Sequence, residues 1–301
     1  MSDPYFDNVS LLIPFDYSTT NPQDHSPNKK QLIVVGAATP DTQDSKYYGK
    51  SVSFDGWTGY VDIPPSQDFN FGTGDYTVEF WVKLFAHTTL DIDPGFPRLI
   101  SSMGTLNGAG GFQLWINRGG AAWCIEHGLD TGSVVITTTN SPLNDDQWHH
   151  VAFSRQGGVS RCFLDGVIAS SGTDATNYTR MGTEGIRIGT RPDRKTNTFA
   201  AVNLQDLRIT KGVCRYTENF TPPDRFLSDA NLSGTVLTTE GIPKSGMTVR
   251  CIDRNPKIQR MWTTKTDKFG HYSFLLPKGD YTILAQDDNG NLNDQVKRVR
   301  N

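Results

Sequence analysis

Apolar and polar residues alternate with a period of two through most of the chain, the spacing of strands that bury one face. In the segment Asp75-Tyr-Thr-Val-Glu-Phe-Trp-Val82, residues Tyr76, Val78, Phe80 and Val82 fall on one side. Phe112, Leu114 and Ile116 repeat the pattern with Gln113 and Asn117 opposite, and Ile186 and Ile188 flank Arg187. No window of ten or more residues carries a helical stripe, so the expectation is an all-β protein. Asp-Gly pairs follow Phe54 and Leu164, and both read as hairpin turns because glycine tolerates positive φ. Longer loops are expected at 86–97, 104–111 and 189–198, where Pro, Gly, Asn and Asp gather, and such loops commonly carry binding residues.

The pattern breaks at Thr221-Pro-Pro-Asp-Arg-Phe-Leu-Ser-Asp-Ala230 and restarts at Leu232, which places a domain boundary there. The expected organisation is an N-terminal arm (1–8), a large sandwich (9–226), a linker (227–231) and a small sandwich (232–301). With 301 residues, the chain is long enough for both cores, and its 16 Phe, 10 Tyr and 6 Trp can fill them.

Charge and cysteine content remove several function classes. A net charge of -3 with no dense Lys/Arg run argues against nucleic-acid binding. No apolar run approaches the roughly 18–20 residues that cross a bilayer, so no membrane insertion is expected. Residues 1–7 are polar and acidic, without the basic and apolar regions of a signal peptide, so synthesis in and release from the cytoplasm are expected. Cys124, Cys162, Cys214 and Cys251 form no CxxC pair and are read as free thiols. Sequons at Asn8, Asn177, Asn219 and Asn231 are read as chance matches.

Several stretches, in order, resemble the laminin-G-like, concanavalin-type sandwich of phage structural proteins. They are Val9-Ser-Leu-Leu-Ile-Pro-Phe-Asp16, Asp24-His-Ser-Pro-Asn28, Lys46 to Gly56 and Tyr60-Val-Asp-Ile-Pro64. Phe69 to Val82 and Gln147-Trp-His-His-Val-Ala152 follow. The closing stretch, Leu204-Gln-Asp-Leu-Arg-Ile-Thr-Lys-Gly-Val-Cys-Arg-Tyr-Thr-Glu-Asn-Phe-Thr-Pro-Pro223, resembles the phage branch of that family. Residues 232–287 resemble a carboxypeptidase-regulatory-like domain, a transthyretin- or Ig-type sandwich, through Ser233-Gly-Thr-Val236, Gly270-His-Tyr-Ser-Phe274 and Leu276-Pro-Lys-Gly-Asp-Tyr281. The resemblance implies a concanavalin A-like jelly roll followed by a small accessory sandwich. It further implies a virion component that works in symmetric copies against capsid or tail proteins.

Retaining glycoside cleavage needs two carboxylates about 5 Å apart. Glu79 stands alone, with Thr77 and Trp81 on its side of the strand, Asp206 is followed by Arg208, and no Glu-x-Asp-x-x-Glu occurs. No enzyme activity is therefore expected. His149 and His150 point to opposite faces of a strand and are read as packing residues. No Gly-x-Ser-x-Gly elbow is present.

Laminin-G-like domains often hold calcium in a rim loop, and Asp91 and Asp93 are the metal candidates by that resemblance. A solvated loop is the plainer reading, and no cofactor is required. The run Asp287-Asp-Asn-Gly-Asn291 reads as an Asn-Gly hairpin. For a sugar ligand, Trp57 and Tyr60 around the turn after Gly56, and Trp115 with Asn117, are the candidate contacts, beside Trp123 and Glu126. The expected function is a phage decoration or tail-associated protein that displays a binding sandwich, with host-surface polysaccharide as the candidate ligand. A dedicated receptor-binding lectin and, third, a glycan depolymerase are the alternatives.

Overall fold

The computed structural model describes residues 3–16, 21–47, 49–84, 96–103, 110–119, 122–128, 134–138, 143, 145–193, 198–223, 230–238, 240–254, 261–276, 280–286 and 292–300. It divides into two compact units, Asp3–Phe226 and Leu227–Asn301. The protein is all-β.

The first unit opens with β1 (Val9–Ile13), β2 (Ile33–Val35), β3 (Ala38–Asp41), β4 (Ser51–Asp55) and β5 (Tyr60–Ile63). It continues with β6 (Tyr76–Leu84), β7 (Arg98–Ser102), β8 (Gln113–Gly119), β9 (Ala122–Gly128) and β10 (Val134–Thr137). Then come β11 (His149–Gln156), β12 (Val159–Leu164), β13 (Val167–Thr173), the short helix α1 (Arg180–Glu184), β14 (Ile186–Ile188) and β15 (Ala201–Lys211). One sheet has eight strands, in the order β13-β12-β11-β6-β15-β4-β3 with β1 also on β15, and the other has seven, β10-β9-β8-β7-β14-β5-β2.

Alternation decides what lies between the sheets. Tyr76, Val78, Phe80 and Val82 from β6 meet Phe112, Leu114 and Ile116 from the other sheet in one buried cluster. Each such side chain contributes about 1.5–3 kcal/mol by leaving water. Two large polar side chains inside, His127 and Arg155, are hydrogen-bonded. The buried His127 ring lies 3.1 Å from the Tyr76 hydroxyl and 3.0 Å from that of Tyr178. Burial lowers its pKa to about 4, so the imidazole is neutral. Arg155, fully buried, donates to the carbonyls of Gly72, Gly74 and Thr176.

The two Asp-Gly signals part company. Asp165-Gly166 is a two-residue hairpin, with Leu164 opposite Val167 and φ of 49° and 79° at the two turn residues. Asp55-Gly56 is not a hairpin, because β4 pairs with β3 and β15 while β5 pairs with β2 and β14. That turn carries the chain from one sheet to the other. Helix α1 had no signal in the hydrophobic pattern. Among the described residues no helix is long and apolar enough to cross a membrane.

The second unit contains β16 (Ala230–Thr235), β17 (Thr248–Asp253), β18 (Met261–Lys265), β19 (His271–Leu276), β20 (Asp280–Gln286) and β21 (Leu292–Arg300). β16 and β19 form a two-stranded sheet, and β18-β17-β20-β21 a four-stranded one. Its core holds Val236, Met247, Val249, Cys251, Phe274, Tyr281 and Ile283. The first strand, β16, begins inside the stretch read as a linker.

Candidate functional site

Part of the outer face of the eight-stranded sheet, over β6, β11 and β12, is covered by the chain itself. Residues 212–223 follow β15 and fasten across β6, β11 and β12. Thr77 Oγ1 donates to the Val213 carbonyl at 3.0 Å and accepts from the Arg215 amide at 2.9 Å. Ser154 Oγ donates to the Tyr216 carbonyl at 2.8 Å. The rings of Tyr216 and Phe220 stack with centroids 3.5 Å apart, and Phe220 meets His150 and Phe163 edge-on.

Beneath this segment lies Glu79, fully buried. Arg208 Nε donates to its Oε1 at 2.8 Å, and the Tyr216 hydroxyl donates to its Oε2 at 2.7 Å. Arg215 Nε sits 3.7 Å away and also clamps Asp3, in the stretch read as an arm, with bonds of 2.9 and 2.8 Å. Burial alone would raise the Glu79 pKa. The charge of Arg208, followed by the contact with His150 and the charge of Arg215, outweighs it and holds the carboxyl at about 2. An ionised, enclosed carboxylate with its oxygens taken cannot protonate a leaving group. Glu79 stands solitary in the sequence, because its partners lie 129 and 137 residues downstream.

His150 is buried on that face, packed against Trp81 at 5.2 Å, while His149 points the other way. The His149 ring bridges two acids, with Nδ1 2.7 Å from Asp165 and Nε2 3.1 Å from Asp145. The bond to Asp165 raises its pKa, against partial burial and with help from Asp145. Cys162 and Cys251 are buried free thiols, and Cys214 is a half-buried one.

The turn 55–59 is built differently. Asp55 Oδ1 accepts from the amides of Trp57, Thr58 and Gly59 at 3.0, 2.9 and 2.9 Å, and its Oδ2 accepts from Thr58 Oγ1 at 2.7 Å. Thr58 Oγ1 in turn accepts from the Ala37 amide at 3.1 Å. These bonds more than offset partial desolvation and lower the Asp55 pKa. Aspartate bonding its own following amides is the usual Asx device, and Asp55-Gly-Trp-Thr-Gly59 carries its signature. The result is a fixed loop that leaves Trp57 56% exposed.

The other aromatic candidates do not share that exposure. Tyr60 is 7% exposed, with the Arg187 guanidinium 4.4 Å from its ring centre and gripping Asp62 at 2.6 and 2.7 Å. Trp115 is 3% exposed, with Arg98 4.9 Å from its ring centre and held by Gln113 at 2.5 Å. Both rings face away from the sandwich core and each is covered by an arginine, so neither shares the exposure of Trp57. Asn117 is half-buried on the same side of β8 as Trp115. The side chains of Trp123 and Glu126, together with Asp91, Asp93 and residues 287–291, lie outside the described residues. Among the described residues no group of three His, Cys, Asp or Glu is placed to hold a metal ion.

Comparison with known proteins bears on this architecture. The description of the concanavalin A-like lectin/glucanases superfamily, in its laminin-G form, matches residues 54–217. No curated protein matches the chain. Among solved structures the chain is similar to the binding domain of Paraclostridial Mosquitocidal Protein 1, at 13% identity and a TM-score of 0.53, over 98% of this chain and 74% of that one. It is similar to the botulinum neurotoxin serotype G binding domain at 12% identity and a TM-score of 0.50, over 97% and 71%. Domain 4 of AbnA, a GH43 extracellular arabinanase from Geobacillus stearothermophilus, gives 19% identity and a TM-score of 0.48, over 69% and 94%. At these identities the likeness is one of fold. The matched segment runs from β4 through Tyr216 and covers more than half of the sequence. The chain belongs to the concanavalin A-like lectin/glucanases superfamily.

Proposed function

We propose that this protein is a non-enzymatic binding sandwich of a bacteriophage virion, which holds Trp57 out toward surface glycans. The observation that carries the reading is the Trp57 turn. A large apolar ring stands exposed on a backbone that Asp55 and Thr58 have already fixed. Such a ring offers one face to the C–H edge of a pyranose. A fixed turn also avoids the loop-ordering cost that a flexible backbone would incur on binding. Two of the similar structures are binding domains of toxins, in keeping with a binding role.

The virion assignment rests on the closing sequence 204–223, which resembles the phage branch of the family. In the structure this sequence forms β15 and the segment over Glu79. On a particle the protein stands in many copies against capsid or tail proteins, where a weak site gains about 10²–10⁴ in avidity. The second unit serves as the accessory or stalk module. The locked state of Glu79 supports binding without cleavage.

A receptor-binding lectin is the second reading, favoured over pure decoration by the exposure of Trp57. Retention of the full chain on immobilised host-surface polysaccharide tests both, with Trp57→Ala beside it and reducing ends assayed in the eluate. Saturable retention lost in the variant, with no new reducing ends, is expected. Equal retention of the variant would remove the site, and released reducing ends would return the depolymerase reading. Immunogold labelling of intact particles tests the virion assignment separately, and absence of label on every particle would overturn it.

A further inference from the structure

We propose that the second unit holds a binding cleft between the edges of its two sheets, and that the cleft takes a short uncharged saccharide. The inference stands apart from the Trp57 turn and gives the accessory module a ligand contact.

The cleft has a volume of about 520 Å³, within the range of small-molecule sites. One wall comes from the two-stranded sheet, where Gly234 and Thr235 on β16 pair with Tyr272 and His271 on β19. The other comes from Thr264 and Lys265 on β18, the outermost strand of the four-stranded sheet. Residues 266–270 join the two walls, and Asp267 fixes that turn. Its Oδ1 accepts from the amides of Phe269 and His271 at 2.8 and 2.9 Å, and its own amide donates to the His271 carbonyl at 2.9 Å. Gly234 gives the Tyr272 ring its place, since an added Cβ would lie 2.5 Å from the phenol oxygen. Walls held by hydrogen-bonded backbone need little ordering to receive a ligand.

The polar groups of the lining are open to a ligand. Thr264 and Tyr272 are half-buried, and neither hydroxyl has a hydrogen-bond partner among the described residues. Partial burial, and then Cys251, raise the Tyr272 pKa, so the phenol keeps its proton and can donate. Asp267 Oδ2 lies 3.6 Å from His271 Nδ1, too far for a full hydrogen bond, and the two side chains are 51% and 61% exposed. A hydroxyl both donates and accepts, which suits a ligand whose own groups are hydroxyls. Lys265 and Asp267 bring opposite charges to the lining, so charge favours neither an anion nor a cation there. A single carboxylate does not hold a hard metal ion. Contacts of this kind bind weakly, on the order of 1 mM, too weakly to retain the chain on a polymer without Trp57.

The test uses the full chain carrying Trp57→Ala, so that the exposed ring of the first unit cannot contribute. Neutral di- and trisaccharides of glucose, galactose, mannose and N-acetylglucosamine are titrated while backbone amide resonances are followed, with glucuronic acid and glucosamine as charged counterparts. Saturable shifts at Gly234, Thr235, Thr264 and Tyr272 are expected with at least one neutral sugar. Tyr272→Phe and Thr264→Val, each checked for an unchanged melting temperature, should weaken that binding roughly three- to tenfold, the scale of one hydrogen bond. Absence of these shifts with every sugar would overturn the cleft as a saccharide site, as would binding that both variants leave unchanged. Tighter binding of glucuronic acid or glucosamine than of the neutral sugars would overturn the uncharged class. None of these results bears on the Trp57 reading, because that ring is absent from the chain under test.

Discussion

Arg208 and Glu79 sit directly opposite each other on neighbouring strands, joined by bonds of 2.8 and 2.7 Å to the same carboxylate oxygen, in a place from which water is excluded. Tyr216 covers the second oxygen. A pair of this kind adds little over an apolar pair of the same shape, but removing one partner leaves the other charge buried alone.

Glu79→Gln is therefore expected to cost about 3 kcal/mol in urea unfolding, with Asp3 left as the carboxylate shared by Arg208 and Arg215. The folded Glu79 pKa of about 2 is below its unfolded value near 4.5. Its contribution is thus present above the unfolded value and is lost as pH falls toward the folded one. Wild type should weaken between about pH 4.5 and pH 2, while Glu79→Gln should show a flatter profile over that window. Parallel profiles would contradict the pairing.

His149 titrates in the opposite sense. Its folded pKa is raised above 6.5 by Asp165 and Asp145. Stability from the protonated ring is full below the unfolded value and is lost as pH rises through the folded one. The gap in unfolding midpoint between wild type and His149→Ala should be larger near pH 5.5 than near pH 8.5. A gap independent of pH would show that the ring only packs.

Gly166 tests how the closing segment is seated. Its φ is 79°, and an added Cβ would fall 1.9 Å from the Phe220 carbonyl oxygen. Gly166→Ala should cost at least about 2 kcal/mol and lower the melting temperature by roughly 4–8 °C. An unchanged melt would mean that residues 212–223 do not rest on the hairpin.

Trp115 and Trp57 should behave as opposites. Trp115→Ala removes a buried ring and is expected to cost about 3–5 kcal/mol. Trp57→Ala removes an exposed one and should change stability by no more than about 0.5 kcal/mol while abolishing glycan binding. Thermal melts of the two variants check the contrast, and a destabilised Trp57→Ala would make the ring a packing residue.

Much of the first unit was legible because alternation is a local signal. Tyr76, Val78, Phe80 and Val82 announce their shared face within eight residues, and Asp165-Gly166 announces its turn. Partners across the sheet are not local. Whether Asp55-Gly56 closes a hairpin depends on which strand β5 pairs with, and Ile188 lies far along the chain. Tyr60 and Trp115 read as ligand platforms until Arg187 and Arg98 are placed over them. Trp57 has the same residue type as Trp115, and only the route of the chain between sheets leaves it in water. The Asx signature at 55–59 was present in the sequence and explains why that loop is stiff, though not what it displays.

The most direct test follows indole N–H resonances in a chain labelled with ¹⁵N at tryptophan, during titration with a host-surface polysaccharide. The account predicts that the Trp57 signal, assigned by its loss in Trp57→Ala, moves saturably while those of Trp81 and Trp115 stay in place. A Trp57 signal that never moves, or shifts confined to the buried rings, would contradict it.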